Sequence, residues 1–316
     1  PSSGQGPANI QFDRDLNGLT GGIAFGADAT VTPTNAGGFD FIPATPERST
    51  FASPYVAYDR SGGAHHGRLY LVYADENPAE SNDFDIFLRR SDSNGNAGTW
   101  SAPVQVNDDA GTNSQFFQNI SVDQTNGAVW ISWYDARNDF GAGPGVGNID
   151  DGAGLVNTEV QYFASVSVDG GVTFLPNIQV SDGASDEQRG NPSTNDFGDY
   201  TGIAAFGGTA YATWADNSNS TGDLAGSNPG ANSFPFEVYA DRLTLDWAGG
   251  QTVTLSGGGG TDVWLIRPDE SGRFLQFFES DSATGKQKYT APLSPVDTIV
   301  IKGAGGNEQI LIESMG

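Results

Sequence analysis

Three aspartates stand at the same point of a repeated pattern: Tyr73-Ala-Asp75, Trp133-Tyr134-Asp135 and Trp214-Ala-Asp216. In each, an alternating apolar run ends in an aromatic, one further residue and the acid. Equivalent positions in successive repeats share one rim of an assembled repeat fold. These carboxylates, with Tyr134 and Arg137 in the same stretch, are therefore the best candidate site in the chain. Paired acids serve glycoside hydrolysis, where a carboxyl separation of ~5–10 Å selects the mechanism. They equally bind a cation, or cap the turn that ends a strand, because Asx side chains are ordinary turn formers. A second acidic group, Asp13-Arg-Asp15-Leu-Asn17-Gly18, places oxygens at alternate residues before a Gly turn, a spacing that suits Ca2+. Its twelfth position is Ala24 and not a bidentate Glu, so it is no EF-hand. Calcium and a plain Asx turn both stay open there. Asn148-Ile-Asp150-Asp151-Gly152 is a weaker cation candidate, and His65 and His66 share a Gly-flanked turn without a third ligand at metal spacing.

The elements that must position these residues are short alternating strands. Phe25, Trp100 and Phe174 each close a Gly-rich turn, 75 and then 74 residues apart, and each is followed by apolar residues four and six places on. That is the period of a half-buried strand. Upstream of each turn a larger unit repeats. A strand A reads Tyr55–Asp59, Ile120–Asp123 and Thr201–Ala205. Strand B, which ends at the aspartates, reads Arg68–Tyr73, Ala128–Trp133 and Thr209–Trp214. Strand C reads Asp85–Arg89, Val160–Ala164 and Glu237–Arg242, and the aromatic-closed turn leads into strand D. Four antiparallel strands repeated in sequence describe a β-propeller blade. Residues 9–32 read as strands C and D of an earlier blade. The expected fold is all-β: propeller blades over 1–247 (a partial blade 1–50, then 51–110, 111–185 and 186–247) in a ring that is incomplete as given. Residues 248–316 hold strands without this punctuation and all three lysines of the chain. They read as a separate β module, a truncated β-sandwich or a solenoid.

Composition narrows the function classes. With 39 acidic and 14 basic residues the chain carries a net charge of -25, which leaves no clustered cations for nucleic acid or anionic lipid. Such charge favours solubility and offers carboxylates to divalent cations. No apolar run approaches the ~20 residues of a membrane span. A chain without cysteine needs no disulfides and has no thiol nucleophile. The start at Pro1, without Met, reads as a mature or processed piece of a larger precursor.

Ser167-Val-Asp169-Gly-Gly171-Val-Thr-Phe174 fits S-x-D-x-G-x-x-[WF]. Ser91-Asp-Ser-Asn-Gly95 with Thr99-Trp100 is a variant two residues longer, and Asp15-Leu-Asn17-Gly18 with Phe25 a more degenerate one. These stretches resemble the Asp-box (BNR) repeats of sialidase-like β-propellers, over residues 9–246. The resemblance implies that Ser167, Asp169, Gly171, Phe174, Ser91, Gly95, Trp100 and Phe25 build structural hairpins, with the acid capping turn amides and the aromatic packing under the blade. Sialidase catalysis is expected to need an Arg triad, its first member in Phe-Arg-Ile-Pro. Here Phe41-Ile-Pro43 lacks that Arg, and no triad can be placed. Gly303–Ile310 is similar to one degenerate calcium-solenoid repeat, of a kind that needs stacked neighbours. The reading is a non-catalytic extracellular or cell-surface module with a structural, adhesive, or glycan- or protein-binding role, with calcium as the one cofactor its residues suit. A glycoside hydrolase or polysaccharide lyase using Asp75, Asp135, Asp216, Tyr134 and Arg137 is the alternative. A subunit of an extracellular assembly, completed by strand addition from a neighbour or by self-assembly, is a third.

Overall fold

The computed structural model describes residues 7–15, 17–18, 21–22, 25–37, 40–45, 48–79, 81, 83–139, 159–187, 197–198, 200–218, 236–245, 251–256, 263–268, 274–278, 287–292, 296–302 and 309–312. Its regular elements are β-strands. β1 (Ala8–Phe12) and β2 (Ala29–Thr34) form an antiparallel pair. β3 (Tyr55–Tyr58), β4 (Leu69–Glu76), β5 (Phe84–Ser91) and β6 (Val104–Gln105) make a four-stranded antiparallel meander. β7 (Gln115–Val122), β8 (Val129–Asp135), β9 (Gln161–Ser167) and β10 (Ile178–Gln179) repeat it. β11 (Gly202–Phe206), β12 (Thr209–Asp216) and β13 (Glu237–Thr244) supply three strands of the same order. Within this series β7 lies against β3, β4 and β5, and β11 against β7 and β8. Sequential meanders stacked through their first strands are the blades of a β-propeller.

Local chemistry explains the blades. Asp123 closes the β7–β8 turn by accepting from the Thr125 amide at 2.9 Å and the Thr125 hydroxyl at 2.7 Å, and Gly127 there takes φ +80°, a conformation other residues reach only with strain. The other oxygen of Asp123 accepts from the Gly208 amide at 2.6 Å, which ties this turn to the β11–β12 turn of the next blade. One apolar core runs through all the blades, with Trp130, Trp133, Tyr70, Tyr134 and Tyr162 fully buried. Stacking of Tyr162 on Trp214 (4.9 Å between ring centres) joins β9 to β12 across the blade boundary. All of β8 is buried, as expected where neighbours cover both faces. β12 alternates instead: Ala210, Ala212 and Trp214 are inside while Tyr211 is exposed, so among the described residues this sheet has one bare face.

The blades depart from the sequence reading in three places. β7 begins at Gln115, not Ile120, because a bulge between Phe116 and Asn119, with Phe117 at φ +50°, interrupts the alternation. The fourth strands pair over two residues each, since the runs after Trp100 and Phe174 reach their neighbours only at 104–105 and 178–179. Phe25 was expected to pack under a blade and is 63% exposed. No third strand is hydrogen-bonded into the β1–β2 sheet among the described residues. There Phe12 does the packing, edge-on to Trp100 at 5.6 Å and against Gly95, whose φ of +72° and missing Cβ admit the ring.

The C-terminal strands obey a different rule. β14 (Gln251–Ser256) pairs in parallel with β18 (Val296–Lys302). β15 (Val263–Pro268) pairs in parallel with β19 (Gln309–Ile312), and antiparallel with β16 (Phe274–Phe278). β17 (Gln287–Pro292), a strand the sequence reading did not contain, completes the order β17-β16-β15-β19. A second core of Trp264, Ile266 and Phe277 forms here, apart from that of the blades.

Candidate functional site

The three rim aspartates end their strands alike but meet different surroundings. Asp135 is fully buried. Its Oδ2 accepts from the indole N–H of Trp133 at 2.8 Å and from Nε and NH2 of Arg137 at 2.9 and 2.7 Å. Its Oδ1 accepts the Arg137 amide at 2.8 Å. A strand brings i and i+2 to one face, so Trp-x-Asp closes this bond by geometry alone. Asp216 repeats it: the Trp214 indole donates at 3.0 Å and the Ser218 amide at 2.7 Å, in a buried setting.

Arg137 is the hub of this end of the β7–β10 blade. Beyond Asp135 it donates to Asp108 at 2.7 Å and to Asn177 at 2.8 Å, lies 3.4 Å from Asp109, and sits 4.5 Å over the Phe163 ring. Burial works against its charge, but the Asp135 carboxylate, aided by Asp109 and Asp108, holds the guanidinium firmly protonated. Tyr134 is fully buried, stacked on Phe116 at 5.5 Å, and its hydroxyl donates to the Ala215 carbonyl at 2.8 Å. Burial pushes its phenol well above the ordinary range. Asp135, Tyr134 and Arg137 thus turn all their polar atoms onto the scaffold.

Asp75 differs. One oxygen, Oδ1, takes the Thr34 hydroxyl at 2.9 Å and the amides of Asn35 and Glu76 at 2.7 and 3.0 Å. The carboxylate thereby fastens the end of β2 to the end of β4. Beside it opens a cleft of about 280 Å3 between β2 and the β4–β5 pair. Tyr73 and Phe87, direct cross-strand partners with ring centres 5.8 Å apart, form its apolar wall. Asn35, Asp75, Glu76, Asn77 and Arg89 supply its polar atoms. Arg89 is held in place by the Ser101 carbonyl (2.7 Å), the Thr32 hydroxyl (3.0 Å) and the Tyr73 hydroxyl (3.3 Å). The sequence places Phe87 and Arg89 on strand C but not at a site; the signal was their i, i+2 spacing there, opposite Tyr73 and Leu71.

Asp85 lies directly opposite Asp75 in the register. Burial raises its carboxyl to about 6; the Asn107 hydrogen bond works against this, while Asp83, Asp109 and Asp135 add to it. Asn107 donates to Asp85 at 2.7 Å and to Asp109 at 2.9 Å.

The remaining motif residues are occupied locally. Ser167 donates to Asp169 at 2.9 Å and accepts the Gly171 amide at 2.8 Å, and Asp169 accepts the amides of Val172 and Thr173, each at 2.9 Å. Burial opposes the Asp169 charge, but the Thr173, Ser167 and Val172 hydrogen bonds outweigh it and hold the carboxyl below its usual range. Ser91 accepts the Gly95 amide at 3.1 Å in the corresponding place. Arg68 and Arg90 of the preceding blade donate to the carbonyls of Gly170 and Gly171 at 2.8 and 2.9 Å. Trp100 and Phe174 pack half-buried against the core. Asp13 accepts the amides of Arg14 (2.6 Å) and Gly26 (3.0 Å), and Asp15 accepts that of Asn17 (3.0 Å) in an Asx turn; among the described residues no three acidic, His or Cys side chains come together as a metal site. His66 accepts the Gly62 amide at 3.1 Å. Asn148–Gly152 and 303–308 lie outside the described residues.

No protein-family model and no curated protein matches the chain. Solved structures resemble it in shape. An α-L-arabinanase of Penicillium chrysogenum, complexed with arabinobiose, is 10% identical over 71% of this chain and 55% of its own, at a TM-score of 0.38. An α-L-arabinofuranosidase from Lactobacillus brevis is 10% identical over 85% and 83%, also at 0.38. The intramolecular trans-sialidase of Ruminococcus gnavus is 13% identical over 74% and 41%, at 0.28. The chain spans about half the length of the arabinanase. At such scores the β-propeller assignment rests on the blades of this chain itself.

Proposed function

We propose that this chain is a non-catalytic, extracellular β-propeller module that binds a sugar residue of a glycan in the cleft beside Asp75. The observation that carries the reading is the Tyr73–Phe87 wall set against Asn35, Asp75 and Asn77. Sugar rings offer an apolar face to aromatic side chains and hydroxyls to carboxylates and amides, and small-ligand sites combine apolar walls with a few fixed polar groups. The volume of about 280 Å3 is at the lower end of such sites and suits one ring. The non-catalytic part is supported by Asp135 and Asp216, whose oxygens already serve Trp, Arg and backbone donors. A glycan array followed by calorimetry tests it. Phe87→Ala is expected to weaken binding at least ~tenfold with the fold retained. Unchanged affinity in that variant, or an array without a hit, overturns the reading.

A second reading, a carbohydrate-active enzyme, is favoured by one observation: Asp85, held protonated to about 6, stands across the strand pair from Asp75. A carboxyl raised in this way is what the general acid of glycoside cleavage requires. Turnover of any glycan that Asp85→Asn abolishes establishes this reading; binding without turnover dismisses it.

A further inference from the structure

The chain contains three Asn-Gly pairs: Asn17-Gly18, Asn94-Gly95 and Asn126-Gly127. Such a pair carries the means to modify itself. The glycine nitrogen gives up its proton and attacks Cγ of the asparagine side chain. A succinimide ring forms, the Cγ–Nδ2 bond breaks, and ammonia leaves with the proton. Water then opens the ring at either carbonyl, giving aspartate or isoaspartate. Glycine favours the attack because no Cβ hinders its nitrogen and its backbone turns readily. In a folded chain the reaction has two requirements. No acceptor holds the glycine N–H, and there is room at the surface for the ring.

Two of the pairs are locked. Gly127 donates its amide to the Asp123 carbonyl at 2.8 Å. The Asn126 side chain is tied at both ends, Oδ1 accepting the Ala128 amide at 2.9 Å and Nδ2 donating to Asp123 Oδ2 at 3.2 Å. Gly95 is buried, and its amide donates to Ser91 Oγ at 3.1 Å while the Phe12 ring packs on its bare Cα. Asn94 Oδ1 accepts the Tyr58 hydroxyl at 3.3 Å. Both glycines sit in turns that close a blade, so their N–H groups are part of the fold.

Asn17-Gly18, in the connection between β1 and β2, is different. Both residues are exposed. Among the described residues no acceptor takes the Gly18 amide, and no atom lies within 4 Å of a Cβ placed on it. We propose that Asn17 is a site of self-modification. In the folded protein the Gly18 nitrogen closes on the Asn17 side chain, and an aspartyl or isoaspartyl residue replaces the asparagine, while Asn94 and Asn126 keep their amides. The step needs only water and base from the solvent. The product adds a carboxylate to the series begun by Asp13 and Asp15, and its isoaspartyl form lengthens the main chain of this connection by a methylene.

Peptide mapping by mass spectrometry of the full chain, incubated at mildly alkaline pH both folded and in concentrated urea, tests the proposal. In the folded chain, position 17 is expected to convert at least ~tenfold faster than positions 94 and 126. In urea the hydrogen bonds that set the three pairs apart are gone, and all three are expected to convert at similar rates. Gly18→Ala is expected to slow conversion at position 17 at least ~tenfold, and Asn17→Gln to remove it from that peptide. Equal rates at the three positions in the folded chain overturn the proposal. So does an Asn17 that stays intact when folded but converts in urea, or a Gly18→Ala variant that converts as fast as the parent.

Discussion

Asp75 and Asp135 occupy one position of one pattern in adjacent blades, and the molecule puts them to different uses. In the blade of β7–β10 the preceding aromatic is Trp133, whose indole N–H reaches the acid, and Arg137 lies two residues further. The carboxylate is enclosed. In the blade of β3–β6 the aromatic is Tyr73, whose hydroxyl turns to Arg89, and nothing cationic follows at Asn77. One oxygen is left outside the turn, beside a cleft. The lesson is that repeat equivalence fixes where a side chain starts, while its neighbours two residues away decide whether it is scaffold or surface.

The largest effect that sharpens this comparison is expected from Arg137→Ala. It leaves Asp135 buried without its cation, which costs about 3–5 kcal/mol in urea unfolding. A loss under about 1 kcal/mol breaks the claim that the pair is structural. Trp214→Phe removes the indole donor from buried Asp216 and is expected to cost about 1–3 kcal/mol, read the same way.

Asp85→Asn tests the titration at the cleft blade. An acid whose folded pKa is raised favours the folded state as pH falls, here from above about 6 towards its unfolded value. Asp123 and Asp169 are held low despite burial, by hydrogen bonds from Thr125 and the Gly208 amide and from Thr173, and their contribution is lost as pH falls below the ordinary carboxylate range. Stability is therefore expected to peak near pH 4 and to fall towards about pH 6. Asp85→Asn should raise stability at pH 7 by on the order of 1 kcal/mol, since Asp85 is only half-buried and solvent screens it, and should flatten the fall between about pH 4 and 6 in thermal scans. The smallest change is expected of Asp75→Asn. Its amide oxygen still accepts the Asn35 and Glu76 amides, so stability moves by less than about 1 kcal/mol while glycan affinity drops. A stability loss as large as that of Arg137→Ala would erase the distinction between the two blades.

Much of the fold was legible because blades are local. Strand B and strand C of each repeat were found within a few residues, since alternation and Asx–Gly punctuation are properties of neighbouring residues. The bulge at Phe117 hid half of β7, and β17 escaped notice because Gln287–Pro292 has little apolar alternation. At the site, the aspartates were found and their partners were not. Trp133 to Asp135 is readable at i, i+2, but Asp108 and Asn177 reach Arg137 from other strands and turns. The likeness of 252–266 to 298–312, forty-six residues on, was equally present in the sequence, yet became visible only when parallel pairing laid the two segments together.

The sequence by itself determined the all-β class, the order and punctuation of the strands and the acidic, cysteine-free chemistry, because these depend on residues close along the chain. Only the tertiary structure decided which carboxylate faces a cleft, which is sealed by Arg137, and that the C-terminal strands pair in parallel across forty-six residues. Those outcomes depend on side chains tens of residues apart meeting across blades, where burial and hydrogen bonding, not spacing, set the role of each group.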